Sequence, residues 1–452
     1  MLLNILILAL AATTNALTLD TTSQDSICSA ATLITNGIMD YYEGIRYGGV
    51  VGMFQAPYYW WEAGEVFGGM LDTWYFCQND TYEKILYDAL IAQKGDDNDY
   101  IPTNQSSTEG NDDQAFWGFA VLGAAERNFT NPTGDDDSES WISYAQAVYT
   151  TMWARWDTEN CGGGLRWQIF SLNTGYDYKN TISNASLFHI AARLARYTQN
   201  DTYVTVAEEV HDWLRDVNFV TLNGDSYSVY DGANIGTNNC STISTSEWTY
   251  SYGLLLAGSA YLYNYTEDET WLTEVGRYYN GISIFLNSSS DPIIYERQCE
   301  VSGTCNNDQR SFKSIFSRCL GLTAKLVPDY HDQIMTIITA SAKGAAISCS
   351  GGSDGHTCGQ NWGYGSWDGW YGLGEQISAL EVMQNLLIDE FDAPYTMEKG
   401  GSSNIDYSSG QDATTSTNVN EITVIKKDKV GAGIVTAIVS FVLIGLGVWM
   451  IF

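Results

Sequence analysis

Positive charge is scarce in this sequence. It carries 21 Lys and Arg against 54 Asp and Glu in 452 residues, and its formal net charge at pH 7 is −33. A surface that binds nucleic acid needs clustered Lys and Arg to neutralise phosphates, so this composition argues against a nucleic-acid partner. We expect the partner to be neutral or to lie in acidic surroundings.

Histidine is also scarce, and the cysteines are not spaced as metal ligands. The chain has four His, and none of its nine Cys forms a C-x-x-C pair. Structural zinc sites combine these residue types at short spacings, so we expect no metal site, and no motif calls for a cofactor. His189 lies in an apolar helical stretch and is interpreted as a core residue.

The N-terminus lacks the basic residues that usually open a signal peptide but is otherwise typical of one. Residues 1–16 form an apolar run that ends in small residues, with Thr14 and Ala16 placed for signal peptidase. We therefore predict a secretory signal cleaved near Ala16, followed by one domain over residues 17–398.

The C-terminal apolar run has no basic residues after it. Residues 419–452 hold a polar spacer and then this run, and small residues such as Ser416 and Asn418 precede them. This order is typical of a GPI-attachment signal that is removed, and we predict attachment at Asn418, at the outer face of the plasma membrane and in the cell wall. A plain transmembrane anchor is the alternative. Residues 399–418, rich in Ser, Thr and Asn, are predicted to be a disordered linker.

Glycosylation sequons and cysteines also favour export. Exported cysteines form disulfides by default. Cys299 with Cys305 and Cys349 with Cys358 are close enough to staple loops, and Cys319 is predicted to be a buried free thiol. The other four Cys pair in an order that spacing does not fix: Cys28, Cys77, Cys161 and Cys240. Eight Asn-x-Ser/Thr sequons are candidate glycosylation sites, at Asn79, Asn104, Asn128, Asn184, Asn200, Asn239, Asn264 and Asn287.

Long alternating runs are absent, whereas helical apolar periodicity recurs throughout the predicted domain. One set of segments has charged faces, typical of outer helices, and a second set is apolar almost all round, typical of helices buried inside others. Six members of each set alternate along the chain, with a period of roughly 50 to 70 residues. This pattern predicts an all-α domain, specifically an (α/α)6 barrel.

Each inner segment begins with polar or aromatic residues. Inner helices of such a toroid run parallel, so six starts would converge on one cleft lined with carboxylates, amides and indoles. Helix capping explains a lone Asp at a helix start equally well, but not the Trp clusters beside it. The six starts are Trp60 to Glu62, Asp112 and Asp113, Asn180 to Asn184, Glu247 and Trp248, Asp308 to Arg310, and Trp367 and Asp368.

The adjacent Asp112 and Asp113 are the candidate catalytic pair. Glycosidic bonds are usually cut by two carboxyl groups, one protonated and one ionised. Neighbouring Cα atoms are about 3.8 Å apart, which favours the roughly 5 to 5.5 Å carboxyl separation of retaining enzymes. We expect coupled titration, with one pKa raised and the other held down by the helix N-terminus. Other acidic runs, at residues 94–100 and 133–140, are interpreted as solvated loops.

The inner-segment starts resemble glycoside hydrolase family 76, in particular its fungal GPI-anchored branch of mannan endo-1,6-α-mannosidases. The matching stretches lie between about Asp20 and Leu387 and include "YYWWEAGEVFGGMLDTW", "GNDDQAFWGFA", "CNNDQRSFKSIFSRCL" and "YGSWDGWYGLGEQISAL". The resemblance implies an (α/α)6 fold and retaining α-1,6-mannosidic chemistry, with Asp112 as nucleophile and Asp113 as acid/base. It further implies a transglycosidase that cuts the mannose core of GPI glycans and joins wall proteins to β-glucan.

The same resemblance indicates residues that line the cleft, although helix packing or capping would explain them equally well. These candidates are Trp60, Trp61, Tyr178, Trp248, Arg310, Trp367 and Asp368. Two alternatives to the enzyme are kept. One is a wall-anchored carbohydrate-binding protein without chemistry, and the other is a polysaccharide lyase, which the shortage of basic residues disfavours.

Overall fold

The computed structural model describes residues 17–105, 108–133, 139–288 and 290–413, together with 436, 439 and 440. Within these residues the chain forms twelve α-helices. They are α1 Gln24–Met39, α2 Trp60–Cys77, α3 Glu83–Ala92, α4 Asn111–Glu126, α5 Trp141–Ala154, α6 Thr181–Thr198, α7 Asp201–Asp216, α8 Thr249–Thr266, α9 Glu269–Gly281, α10 Asn307–Leu326, α11 His331–Ser348 and α12 Leu373–Gln384.

The even-numbered helices form a closed inner ring. Each packs against the next, and α12 packs back against α2. Every residue of α6 and α12 is buried, as is every residue of α4 except Asp113. The odd-numbered helices pack outside this ring, and α1, α7 and α9 each bury one face. The predicted (α/α)6 barrel is therefore confirmed, and so is the core position of His189, which is 2% exposed between two aromatic rings.

Buried ion pairs join the inner helices. Arg318 of α10 contacts Glu65 of α2 at 2.7 Å and Glu381 of α12 at 2.5 Å, and its Nε atom lies 3.5 Å from Asp72 of α2. A charge in a barrel core is tolerated only with such partners. Arg318 thus holds carboxylates from two other inner helices at the centre of the ring.

Five short strands lie in the described residues: β1 Tyr178–Asn180, β2 Val220–Asn223, β3 Ser226–Val229, β4 Gly232–Asn234 and β5 Ile243–Ser244. β2 and β3 form a hairpin, and β1, β4 and β5 form an antiparallel sheet in that order. β1 runs directly into α6, and its pairing places Asn180 opposite Gly232. The sheet therefore places the segment that contains Asp231 next to the start of α6.

Four disulfides cross-link the described part of the chain. The predicted pairs Cys299–Cys305 and Cys349–Cys358 are confirmed, as is the buried free thiol of Cys319. The pairing that spacing left open is Cys28 with Cys77 and Cys161 with Cys240.

The prediction of a disordered linker is wrong for residues 399–413, which lie against the barrel. The side chain of Asn128 donates to the carbonyl of Gly400 at 2.7 Å and accepts from the N–H of Ser402 at 2.9 Å. The hydroxyl of Ser403 donates to the side chain of Asn131 at 2.6 Å. Polar side chains at the end of α4 thus satisfy a backbone that has few apolar residues of its own. The rest of the predicted linker lies outside the described residues.

The sixth inner helix begins later than its sequence suggests. Trp367 and Asp368 were expected at its start, but α12 begins at Leu373. Gly369 has φ of +89° and Gly372 has φ of +155°, and such angles break a helix. The two expected residues therefore lie on the preceding loop.

The export predictions fall mostly outside the described residues. Residues 1–16 and Asn418 lie outside them, as does the segment 419–452 apart from three residues. In the described part of the chain, no helix combines the length and apolarity needed to cross a bilayer. The glycosylation prediction is wrong for Asn184, which is fully buried and hydrogen-bonded to both backbone groups of Leu165, leaving no room for a glycan. The other seven sequon asparagines are at least partly exposed.

Candidate active site

A cavity of about 620 Å³ opens where inner helices α2, α4, α6 and α10 begin. Five carboxyl side chains line it, and no Lys, Arg or His does so among the described residues. A cavity with this wall suits a neutral or cationic ligand rather than an anionic one. Its wall includes Tyr59, Trp60, Trp61, Glu109, Asp112, Asp113, Phe116, Trp167, Gln168, Tyr178, Asn180, Asp231, Tyr250, Asp308 and Phe312.

The first turn of α4 presents Asp112 and Asp113 to this cavity. The N–H of Gly110 donates to Oδ2 of Asp113 at 2.6 Å, and the N–H of Asp113 donates to Oδ1 of Asp112 at 3.1 Å. A Cβ atom at position 110 would lie 2.3 Å from Oδ1 of Asp112 and 3.0 Å from the carbonyl oxygen of Trp167. Glycine is therefore required before the pair, because any side chain there would displace the carboxyls.

Both members of the pair have raised pKa values. Burial raises the pKa of Asp112 to about 7, against hydrogen bonds from backbone N–H groups and from Asn180. Burial, and then the charge of Asp112, raise the pKa of Asp113 well above its usual range. The expectation that the helix N-terminus holds one pKa down is wrong, because burial outweighs it. Asp112 accepts more hydrogen bonds than Asp113, so its carboxyl ionises more readily.

Aromatic side chains and three further carboxyls, those of Glu109, Asp231 and Asp308, line the cavity around the pair. Trp61 packs on Phe116 with ring centroids 4.6 Å apart, and its indole N–H donates to Asp308 at 2.9 Å. The hydroxyl of Tyr178 donates to Asp231 at 2.6 Å. The arrangement of two adjacent carboxyls beside flat aromatic faces can hold a sugar and cleave its glycosidic bond.

Comparison with known proteins identifies the family. Residues 26–398 match the model of Glycosyl hydrolase family 76. The chain belongs to this family. It is 56% identical to mannan endo-1,6-alpha-mannosidase DFG5 of Saccharomyces cerevisiae, over 97% of this chain and 95% of that one. The DFG5 mannosidase of Candida albicans is 52% identical, over 99% and 98% of the two chains.

A solved structure agrees with this assignment. The crystal structure of Dfg5 from Chaetomium thermophilum in complex with glucosamine has 35% sequence identity and a TM-score of 0.81, and the match covers 86% of this chain and 97% of that one. This chain is therefore a glycoside hydrolase with the family 76 barrel.

The structure brings together part of the candidate site of this family 76 hydrolase. Asp112, Asp113, Trp60, Trp61 and Tyr178 all line the cavity. Trp60 is held in the wall, because its indole N–H donates to Gln93 at 2.9 Å and its ring stacks on Trp117. Trp248 does not line the cavity itself, but its indole N–H donates to the lining residue Asp231 at 3.1 Å.

The other three candidates do not line this cavity. Arg310 lies with its guanidinium 4.5 Å from the ring centroid of Trp370. Asp368 accepts from the backbone N–H of Asn361 at 2.7 Å, and the indole of Trp367 donates to the carbonyl of Trp370 at 2.6 Å. Arg310, Trp367 and Asp368 therefore organise the loop before α12, and their placement in the cavity wall is corrected.

Several residues of the hydrolase site were not predicted from the sequence. Glu109 lies three residues before Asp112, a spacing that could have drawn attention to it, whereas Asp231 has no signal in its own segment. The acidic run at 94–100 is not a fully solvated loop, because Asp99 is completely buried. Burial raises the pKa of Asp99 to about 6, and the nearby charge of Arg155 opposes that rise.

Proposed function

We propose that this hydrolase is a retaining endo-α-1,6-mannosidase that can also act as a transglycosidase. The observation that carries the proposal is the adjacent pair Asp112 and Asp113, which lines the cavity at the start of α4. The names of the relatives at 56% and 52% identity support the α-1,6-mannosidic substrate. Membership of a hydrolase family sets aside the lyase and the non-catalytic binding protein.

The first chemical step joins the sugar to Asp112. The ionised carboxylate of Asp112 attacks the anomeric carbon while the bond from that carbon to the bridging oxygen breaks. Asp113 gives its proton to the departing oxygen, so that a mannosyl ester of Asp112 remains. The raised pKa values of the two carboxyls, with the charge of Asp112 further raising the pKa of Asp113, favour the ionised and protonated forms that this step needs.

The second step releases Asp112. Asp113, now ionised, takes a proton from an acceptor hydroxyl, and the acceptor oxygen attacks the anomeric carbon. Two inversions give retention of the α configuration. With water as acceptor the reaction is hydrolysis, and with a sugar hydroxyl it is transglycosylation.

For the physiological reaction we propose a GPI glycan as donor and cell-wall β-glucan as acceptor, on a protein anchored by GPI at the outer face of the plasma membrane. The Chaetomium relative was crystallised with glucosamine, an amino sugar. Five carboxyls and no described basic side chain line the cavity of this chain, which favours a donor that carries an amino group beside its mannose units.

The test is analysis of the products by mass spectrometry and NMR. Purified protein is incubated with isotope-labelled α-1,6-mannotetraose, with and without a β-glucan oligosaccharide, beside Asp112→Asn. We expect shorter mannosides that first form as the α anomer, and mannose-glucose hybrids when glucan is present. A β anomer as first product would refute retention, and the absence of hybrids would refute β-glucan as acceptor for this donor.

A further inference from the structure

Arg155 lies behind the catalytic pair and has no part in the two steps above. It follows the last residue of α5, and its Nε donates to Oδ1 of Asn111 at 2.8 Å. Its Nη2 donates to Oε1 of Gln114. Asn111 directly precedes Asp112, and Gln114 directly follows Asp113. One guanidinium thus holds the residues on both sides of the pair.

The two amides are fixed at their other ends as well. Nδ2 of Asn111 donates to the carbonyl of Arg166 at 2.9 Å, and Nε2 of Gln114 donates to the carbonyl of Asp99 at 2.6 Å. A guanidinium only donates and a carbonyl only accepts, so each amide has one satisfactory orientation. The first turn of α4 is therefore tied to two neighbouring loops and to the end of α5.

This use of an arginine is costly for a role in packing alone. Its Nη1 is buried without a hydrogen-bond partner in the described part of the chain. The charges of Asp99 and Glu109 interact with the guanidinium of Arg155 at a distance, but its hydrogen bonds go to the neutral amides of Asn111 and Gln114. A buried cation without a bonded carboxylate costs stability, and a cost of this kind is typical of functional sites.

We infer that Arg155 is a positioning residue that fixes the first turn of α4 and, through it, the placement of the Asp112 and Asp113 carboxyls. It does not line the cavity, so it has no contact with the sugar. The inference rests on the proposed roles of the pair. A displacement of about 1 Å in a catalytic group can reduce the rate about 100-fold, so loss of this support should act on kcat.

The test compares Arg155→Met, which removes charge and donors at similar length, with Arg155→Lys, which keeps only the charge. Arg196→Met is the matched control, because its buried guanidinium donates to the side chain of Asn264 and the carbonyl of Pro394 at the opposite end of α6 from the cavity. On α-1,6-mannotetraose we expect kcat to fall about 100-fold for Met and about 10-fold for Lys. We expect KM to stay within about threefold, and the control to stay within about twofold in both constants.

A coupling experiment separates positioning from a general structural effect. If Arg155 acts through Asn111, then Asn111→Ala and Arg155→Met together should lower kcat hardly more than the Arg155 change alone. Fully additive losses would overturn the inference, as would a rise in KM that accounts for the whole loss. If Arg155→Met does not fold, Arg155→Lys is the test, and a wild-type kcat in Arg155→Lys would also overturn the inference.

The outcome also distinguishes this inference from the proposed function. Turnover that Asp112→Asn abolishes and Arg155→Met leaves unchanged would overturn the positioning role alone. A wild-type protein that converts no mannoside or GPI-glycan donor would overturn the proposed function and this inference with it.

Discussion

Replacement of Asp112 should raise stability while it abolishes activity. Burial raises the pKa of this carboxyl to about 7 in the folded protein, compared with about 3.9 in an unfolded chain. Between about pH 4 and pH 7 the folded state therefore holds this proton more tightly, and stability falls as pH rises through that window. A pKa difference of about 3, at about 1.36 kcal/mol for each pH unit, makes this cost about 4 kcal/mol at pH 7.

Asp112→Asn carries no charge at any pH and so avoids this cost. We expect an inactive variant whose free energy of unfolding exceeds the wild-type value by about 4 kcal/mol at pH 7 and equals it at pH 4. Denaturant unfolding at the two pH values measures the difference, and Asp216→Asn, at an exposed position on α7, is the control. A variant less stable than wild type at pH 7, or one with the same gain at both pH values, would refute the reasoning.

Four further predictions follow from the site and the core. Asp113→Asn should cleave α-1,6-mannotetraose at least about 100-fold more slowly, yet still react with a dinitrophenyl mannoside, because an activated leaving group needs no proton; equal losses on both substrates would contradict the acid role. Wild-type kcat/KM should fall about tenfold per pH unit below pH 7, as Asp112 becomes protonated; a pH–rate profile that stays flat down to pH 5 would contradict this. Arg318→Leu should lower the free energy of unfolding by about 3 to 5 kcal/mol in urea titrations, since buried Glu65 and Glu381 lose their cation while Asp72 keeps Arg127; a loss below about 1 kcal/mol would show that Glu65 and Glu381 are neutral in the fold. Trp61→Ala should raise KM about tenfold, whereas Trp367→Ala, outside the cavity, should leave KM within about twofold; the reverse order would return Trp367 to the sugar site.

The barrel and the catalytic pair could be predicted because both depend on local pattern. An inner helix buries nearly its whole surface, so α4, with apolar or small residues on every side, is distinguishable from amphipathic α7 without any tertiary information. The pair Asp112 and Asp113 is visible because two charges stand at the start of such a helix.

The remaining site residues depend on contacts between distant segments. Asp231 reaches the cavity only because β1 pairs with β4, and neither strand is longer than three residues. Arg155 follows an outer helix, and its proposed positioning role depends on its own side chain, which reaches Asn111 of α4. The prediction that Trp367 and Asp368 line the cavity is wrong because Gly369 and Gly372, which have positive φ, lie after them and α12 begins only at Leu373.

The attachment of residues 399–413 to the barrel changes the reach of a tethered enzyme. The N–H of Asp406 donates to Gln146 on α5 at 2.9 Å, so the chain follows the outer wall there. Because residues 399–413 are held against the barrel, they do not add to a tether the roughly 50 Å that they would span if fully extended. The search volume of a tethered site grows steeply with tether length, and a short tether raises the effective concentration of nearby partners. If this enzyme is anchored at a membrane as we propose, it would encounter donors in the same membrane far more often than soluble mannan.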